Sequence, residues 1–146
     1  DHHSFYYANS QFIILNSCVL FDWSYVPGEN IKQIDFLKKK LIEGIYKECN
    51  HQMIFMHHPL FGLDPGEADS HMVLPKNQRS IILDLLDEYK VKAVFTGHWH
   101  ENNITKYKKT ELITTGPISL SLGDEPSGIR LIEIDGEKLT HEYINL

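Results

Sequence analysis

Two segments decide how this chain folds: Met53-Ile54-Phe55-Met56-His57-His58-Pro59 and Val94-Phe95-Thr96-Gly97-His98-Trp99-His100. Each is a short, continuously apolar run that ends in imidazoles. Such a run, bounded by turn residues, reads as a central strand covered on both faces. Residues just past the ends of these strands gather at the lip of an α/β sheet, where ligands bind. The pattern therefore predicts a layered α/β core with histidines at its mouth.

Working outward, the segment after Asn30 reads as a helix. Asn30 and Gln33 are spaced as a capping pair, and Ile31, Ile34, Leu37, Leu41 and Ile45 repeat at helical intervals. Lys38, Lys39, Lys40 and Glu43 form its solvated side. A second helix opens near Pro75 and runs to about Tyr89, with Ile81, Ile82, Leu85 and Leu86 as its buried stripe. Between Pro59 and Pro75 lies a long loop containing Gly62, Gly66 and the acidic residues Asp64, Glu67 and Asp69. Loops of that length inside a compact domain are often lids or recognition segments.

Upstream, Phe5-Tyr6-Tyr7 and Phe12-Ile13-Ile14-Leu15 flank Ala8-Asn9-Ser10-Gln11 as a β-hairpin. Beyond His100 the pattern changes to short strands at 104–108, 111–115, 128–135 and 139–144, with Gly136 in a tight hairpin turn. The order strand, helix, strand, helix, strand implies a single α/β domain over 1–146, and no internal repeat divides it.

Composition excludes some functions. The 42% hydrophobic and 23% charged fractions are those of an ordinary globular domain. Fourteen basic against twenty acidic residues give a net charge of −6, which argues against nucleic-acid and anionic-membrane partners. No apolar stretch approaches the roughly 20 residues of a membrane span. Cys18 and Cys49, the two cysteines, do not make a disulfide framework, so reduced thiols in the cytoplasm are expected. The chain opens on Asp1 rather than Met, which suggests processing or a fragment.

The histidines carry the chemistry. In an extended segment residues two apart share a side, so His98 and His100 can face one pocket, and Gly97 permits a sharp turn before them. Neutral imidazoles suit Zn, Fe and Mn, and paired metals clamp in-line displacement at phosphorus. Three histidines alone do not complete such a site, because a carboxylate is needed to bridge the cations. Of the nine histidines, His2, His3, His51, His71 and His141 follow no ligand spacing.

Phe55-Met56-His57-His58-Pro59-Leu60-Phe61 and Thr96-Gly97-His98-Trp99-His100 resemble the last two motifs of the calcineurin-like metallophosphoesterases. The similarity extends through Leu15-Asn16-Ser17, the helix after Asn30, Leu122-Gly123, and Pro126-Ser127-Gly128-Ile129-Arg130. It looks closest to the cytosolic serine/threonine phosphatase-like subgroup. The resemblance implies the C-terminal part of a four-layer α/β/β/α sandwich with a two-metal site. His57 and His98 would ligate one metal and His100 the other, while His58, not a ligand in the pattern, would line the substrate pocket. The cofactors implied are two divalent or trivalent ions, Fe, Mn or Zn. The reaction implied is attack of a metal-activated hydroxide on a phosphate ester, and the partner a phosphorylated substrate, phosphoproteins included.

The chain departs from the family in lacking Gly-Asp-x-x-Asp and Gly-Asn-His. Asp1-His2-His3, Asp69-Ser70-His71 and Gly123-Asp124 match fragments of the missing motifs only by coincidence of letters or order. The N-terminal half of the domain, with the bridging aspartate and the catalytic histidine, is therefore expected upstream of Asp1. Alone, the chain is expected to be inactive. Two other classes compete: a non-catalytic binding or scaffold domain with an incomplete metal site, and an unrelated hydrolase with one zinc on His57, His98 and His100. Trp99 reads as a packing residue, Asn102 and Asn103 as turn formers, and Arg130 as a surface or ion-pairing cation.

Overall fold

Ala8 and Asn9 both adopt positive φ, 46° and 56°, the tight turn that matches the twist of two antiparallel strands. This joins β1 (His3–Tyr7) to β2 (Ser10–Ile14). A short helix α1 (Ser17–Phe21) and a long one, α2 (Glu29–Tyr46), lead to β3 (His51–Phe55). Helix α3 (Lys76–Glu88) follows the long loop and returns the chain to β4 (Ala93–Thr96). Two hairpins complete the chain, β5 (Asn103–Tyr107) with β6 (Thr110–Thr114) and β7 (Gly128–Asp135) with β8 (Lys138–Asn145). The computed structural model describes residues 1–119 and 126–146, so Leu122-Gly123 and Gly123-Asp124 lie outside the described residues.

Six strands form one sheet in the order β1-β2-β3-β4-β6-β5. β2, β3, β4 and β6 run parallel, so their C-terminal ends open on one edge. β3 and β4 are buried along almost their whole length, with Met53, Ile54, Ala93, Val94 and Phe95 in the core. On one face α1, α2 and α3 cover Ile13, Ile54 and Val94 with Leu20, Leu37, Leu41, Ile82 and Leu86. On the other, Ile132, Ile134 and Leu139 of the β7–β8 hairpin pack on Met53, Ala93, Phe95 and Ile113. The α/β/β layering is thus visible in the described residues. A row of stacked rings, Phe5, Phe12, Phe55 and Phe95, crosses the sheet on this second face with centroids 4.7, 6.1 and 5.1 Å apart.

Helix α2 turns a different face inward from the one its isoleucines suggest. Asn30, Gln33, Leu37, Leu41 and Gly44 are buried, whereas Ile31 and Ile45 are exposed. The reason is polar: Gln33 accepts from the Asn16 N–H at 2.6 Å and donates to the Asn16 carbonyl at 3.0 Å. Those bonds satisfy the backbone where β2 gives way to α1, and they fix the helix's rotation. Asn30 lies within the helix rather than capping it; the cap is Gly28, with φ 84° and no side-chain bond. In α3, Ile81 is likewise exposed, and Arg79 and Leu83 are buried instead.

Candidate metal centre

Three strand ends supply the site. β2 runs into Ser17, β3 into His57 and His58, and β4 into His98, all on the C-terminal edge of the sheet. Ser17 Oγ accepts the backbone N–H of His57 at 3.0 Å and that of His58 at 2.8 Å, which fixes how the chain leaves β3. The same oxygen lies 3.0 Å from His58 Nδ1. Phe21 of α1 stacks on the His58 ring, with centroids 4.9 Å apart and planes at 12°.

The loop after β4 does not continue as a strand. His98 and His100 both take positive φ, 74° and 58°, while Gly97 does not. Left-handed backbone costs a non-glycine residue about 1 kcal/mol, a strain that collects at functional sites. Trp99 N–H closes the turn on the Gly97 carbonyl at 2.9 Å. His98 therefore turns toward the end of β3, and its Nδ1 lies 3.0 Å from His57 Nε2. His57, His58 and His98 offer nitrogens that all lie within 4.8 Å of one another. His100 is not in that group, although its charge contributes to lowering the His57 pKa. Among the described residues no carboxylate joins the three histidines.

The donors fit a metal ion. His98 Nε2 lies 2.8 Å from the His71 carbonyl, an atom that only accepts, so the ring proton sits on Nε2 and Nδ1 presents a lone pair. A carbonyl partner on the far nitrogen is the usual support of a ligating histidine. His57 Nε2 then donates to His98 Nδ1 at 3.0 Å in the metal-free protein; an ion held by both nitrogens would replace that hydrogen, with the His57 proton moved to Nδ1. Burial is the main reason that the His57 pKa is lowered, with His98 and then His100 adding to it. Burial, followed by His98 and His57, takes His58 down to about 4. The two rings are therefore neutral at neutral pH, the state that metal binding requires of a ligand.

The loop from Pro59 to Pro75 is pinned rather than loose. Arg79, wholly buried, donates to the Leu60 carbonyl at 3.3 Å and to the Glu67 carbonyl. The Glu67 carboxylate accepts the Gly62 N–H at 3.0 Å, and Trp99 Nε1 donates to the Met72 carbonyl at 2.6 Å. Trp99 is thus a packing residue that ties the β4 loop to this one. Arg130 holds Thr115 Oγ1 at 3.0 Å and Asn102 Oδ1 at 2.7 Å, joining the β7–β8 hairpin to the loops of the sheet. The sequence reading did not mark Ser17 or the His71 carbonyl as parts of the site. Ser17 could have been sought as the polar residue that opens the helix just beyond a parallel strand; a backbone carbonyl leaves no sequence signal.

Comparison with known proteins agrees with this fold. No family model matches the chain. It is 34% identical over its whole length of 146 residues to the serine/threonine-protein phosphatase CPPED1 of Bos taurus. A dimetal phosphatase from Danio rerio has the same fold at TM-score 0.71 and 14% identity, over 97% of this chain and 57% of that one. The fold is a metallophosphoesterase fold. Two further structures share this metallophosphoesterase fold at TM-score 0.72 over 99% of the chain. They are purple acid phosphatase PPD1 from Lupinus luteus at 18% identity (30% of its length) and GAP50, the anchor in the inner membrane complex of Plasmodium, at 15% (49% of its length). The chain spans about half the length of the curated relatives it matches, 47% for the bovine protein.

Proposed function

We infer that this chain is the C-terminal part of a metal-dependent phosphoesterase that hydrolyses a phosphate ester, phosphoproteins included among its substrates. The observation that carries the reading is the pair His57 Nε2 and His98 Nδ1, 3.0 Å apart, with the far nitrogen of His98 tied to a backbone carbonyl. That is a preorganised half of a metal site. His57 and His98 would hold one ion and His100 would ligate the second, with carboxylates from the rest of the domain completing a dinuclear centre of Fe, Mn or Zn. The bound metals would supply hydroxide at neutral pH and a counter-charge for the phosphate. His58 would line the substrate pocket. The unpaired thiols of Cys18 and Cys49 suit a cytoplasmic setting.

The experiment is metal analysis with turnover of an aryl phosphate, made on the full-length protein and on its His98→Ala variant. Two ions per molecule, with turnover lost in the variant, support the reading. One ion with other hydrolysis points to a mononuclear zinc enzyme, and neither metal nor turnover points to a binding domain. Full turnover in His98→Ala removes the metal assignment.

A further inference from the structure

The hydrogen bonds at Ser17 place a proton on His58. A serine hydroxyl has two lone pairs and one hydrogen. Both lone pairs of Ser17 Oγ are taken, by the backbone N–H groups of His57 at 3.0 Å and His58 at 2.8 Å. The remaining close partner is His58 Nδ1, at 3.0 Å. The hydroxyl hydrogen is what is left for that contact, so Ser17 donates and Nδ1 accepts. A neutral imidazole that accepts at Nδ1 carries its hydrogen on Nε2. Neither nitrogen of His58 is then open to a metal: one holds the hydroxyl, the other its own proton.

Distance alone groups three histidines as ligands. The proton count divides them into two ligands and one donor. The His58 ring is held in this role by stacking on Phe21, and it lies 4.5 Å from the His98 ring and 4.9 Å from the His57 ring, centroid to centroid. A neutral N–H at that place suits an oxygen of an anion drawn to the ion. We propose that Ser17 is a positioning residue: its hydroxyl locks His58 in the Nε2–H tautomer, so that His58 donates to an oxygen of the phosphate ester instead of joining the metal's ligands. The substrate in this statement rests on the phosphoesterase reading; the position of the proton does not.

The test is a long-range 1H–15N correlation of the histidines in the full-length protein at neutral pH, without metal and with Zn2+. The expected result is His58 protonated at Nε2 in both states, with the preference lost in Ser17→Ala and restored in Ser17→Thr. Inorganic phosphate should bind the zinc-loaded protein about tenfold more weakly in Ser17→Ala and in His58→Phe, and regain its affinity in Ser17→Thr. Zinc affinity in His58→Phe should stay within about threefold of wild type. A proton on Nδ1 in the wild type overturns the proposal, and that measurement needs no variant to fold. A loss of more than about 100-fold in zinc affinity for His58→Phe, or phosphate binding indifferent to both substitutions, also overturns it. The Nε2 proton without phosphatase turnover supports the tautomer lock and counts against the phosphoesterase reading; an Nδ1 proton with turnover does the reverse.

Discussion

Replacing Arg79 with methionine asks how much of the candidate metal centre depends on the long loop bonded to it. The Arg79 side chain is wholly buried, with Nη1 on the Leu60 carbonyl, Nη2 on the Glu67 carbonyl and Glu67 Oε1 3.8 Å away. Methionine keeps much of the apolar stem and none of the donors. Two carbonyls lose their partner at about 1–3 kcal/mol each, and part of that is offset because a buried cation no longer has to be desolvated. The net expectation is about 2–4 kcal/mol of destabilisation, which lowers Tm by about 5–12 °C in a domain of this size. The same loop presents the His71 carbonyl to His98 and the Met72 carbonyl to Trp99. Once it loosens, zinc affinity should also fall, by about tenfold, as for other losses of a ligand's outer support. Thermal unfolding of the metal-free protein and a zinc titration measure the two effects. A Tm within about 1 °C of wild type, or a large Tm loss with unchanged zinc affinity, would refute the link between the loop and the site.

Three further outcomes follow from other contacts. For pH, the buried His58 has its pKa lowered from 6.5 to about 4, so the unfolded chain binds more protons between those values. Stability of the metal-free protein is then fully present above pH 6.5 and declines as pH falls toward about 4, by about 3 kcal/mol from this group; a urea midpoint that does not change through that window contradicts it. Gln33→Leu removes both bonds to Asn16 and should cost about 2 kcal/mol in urea unfolding, since the Asn16 backbone groups are left unpaired. Gly44→Ala gains helix propensity of about 1 kcal/mol, yet its Cβ meets the carboxamides of Gln11 and Gln52, so a net loss of about 1–2 kcal/mol is expected; a stabilised variant would show that those side chains can step aside.

Much of the fold was legible because its deciding elements are local. The first hairpin (its turn narrowed from residues 8–11 to Ala8-Asn9), the apolar runs of β3 and β4 and the Gly136 hairpin each follow from residues adjacent in sequence. The face of α2 was not legible in this way. Ile31 and Ile45 fit the helical repeat as well as Leu37 does, and it is the bond from Gln33 to a distant turn that leaves them in water. The backbone of the Gly97-to-His100 loop was not legible either. Alternation along an extended segment puts His98 and His100 on one side, whereas both residues take left-handed backbone and the segment does not run on as a strand.

For the site, sequence by itself determined which side chains arrive at the sheet's edge: His57 and His58 after one buried strand, His98 and His100 after the next, because an apolar run fixes where a central strand stops. Only the tertiary structure decided which partner each ring meets. It brought His71's carbonyl to His98 and Ser17's hydroxyl to His58 across 27 and 41 positions of sequence. A ring nitrogen becomes a ligand or a donor according to the partner on its other nitrogen, and that partner is chosen by the packing of distant segments rather than by neighbours along the chain.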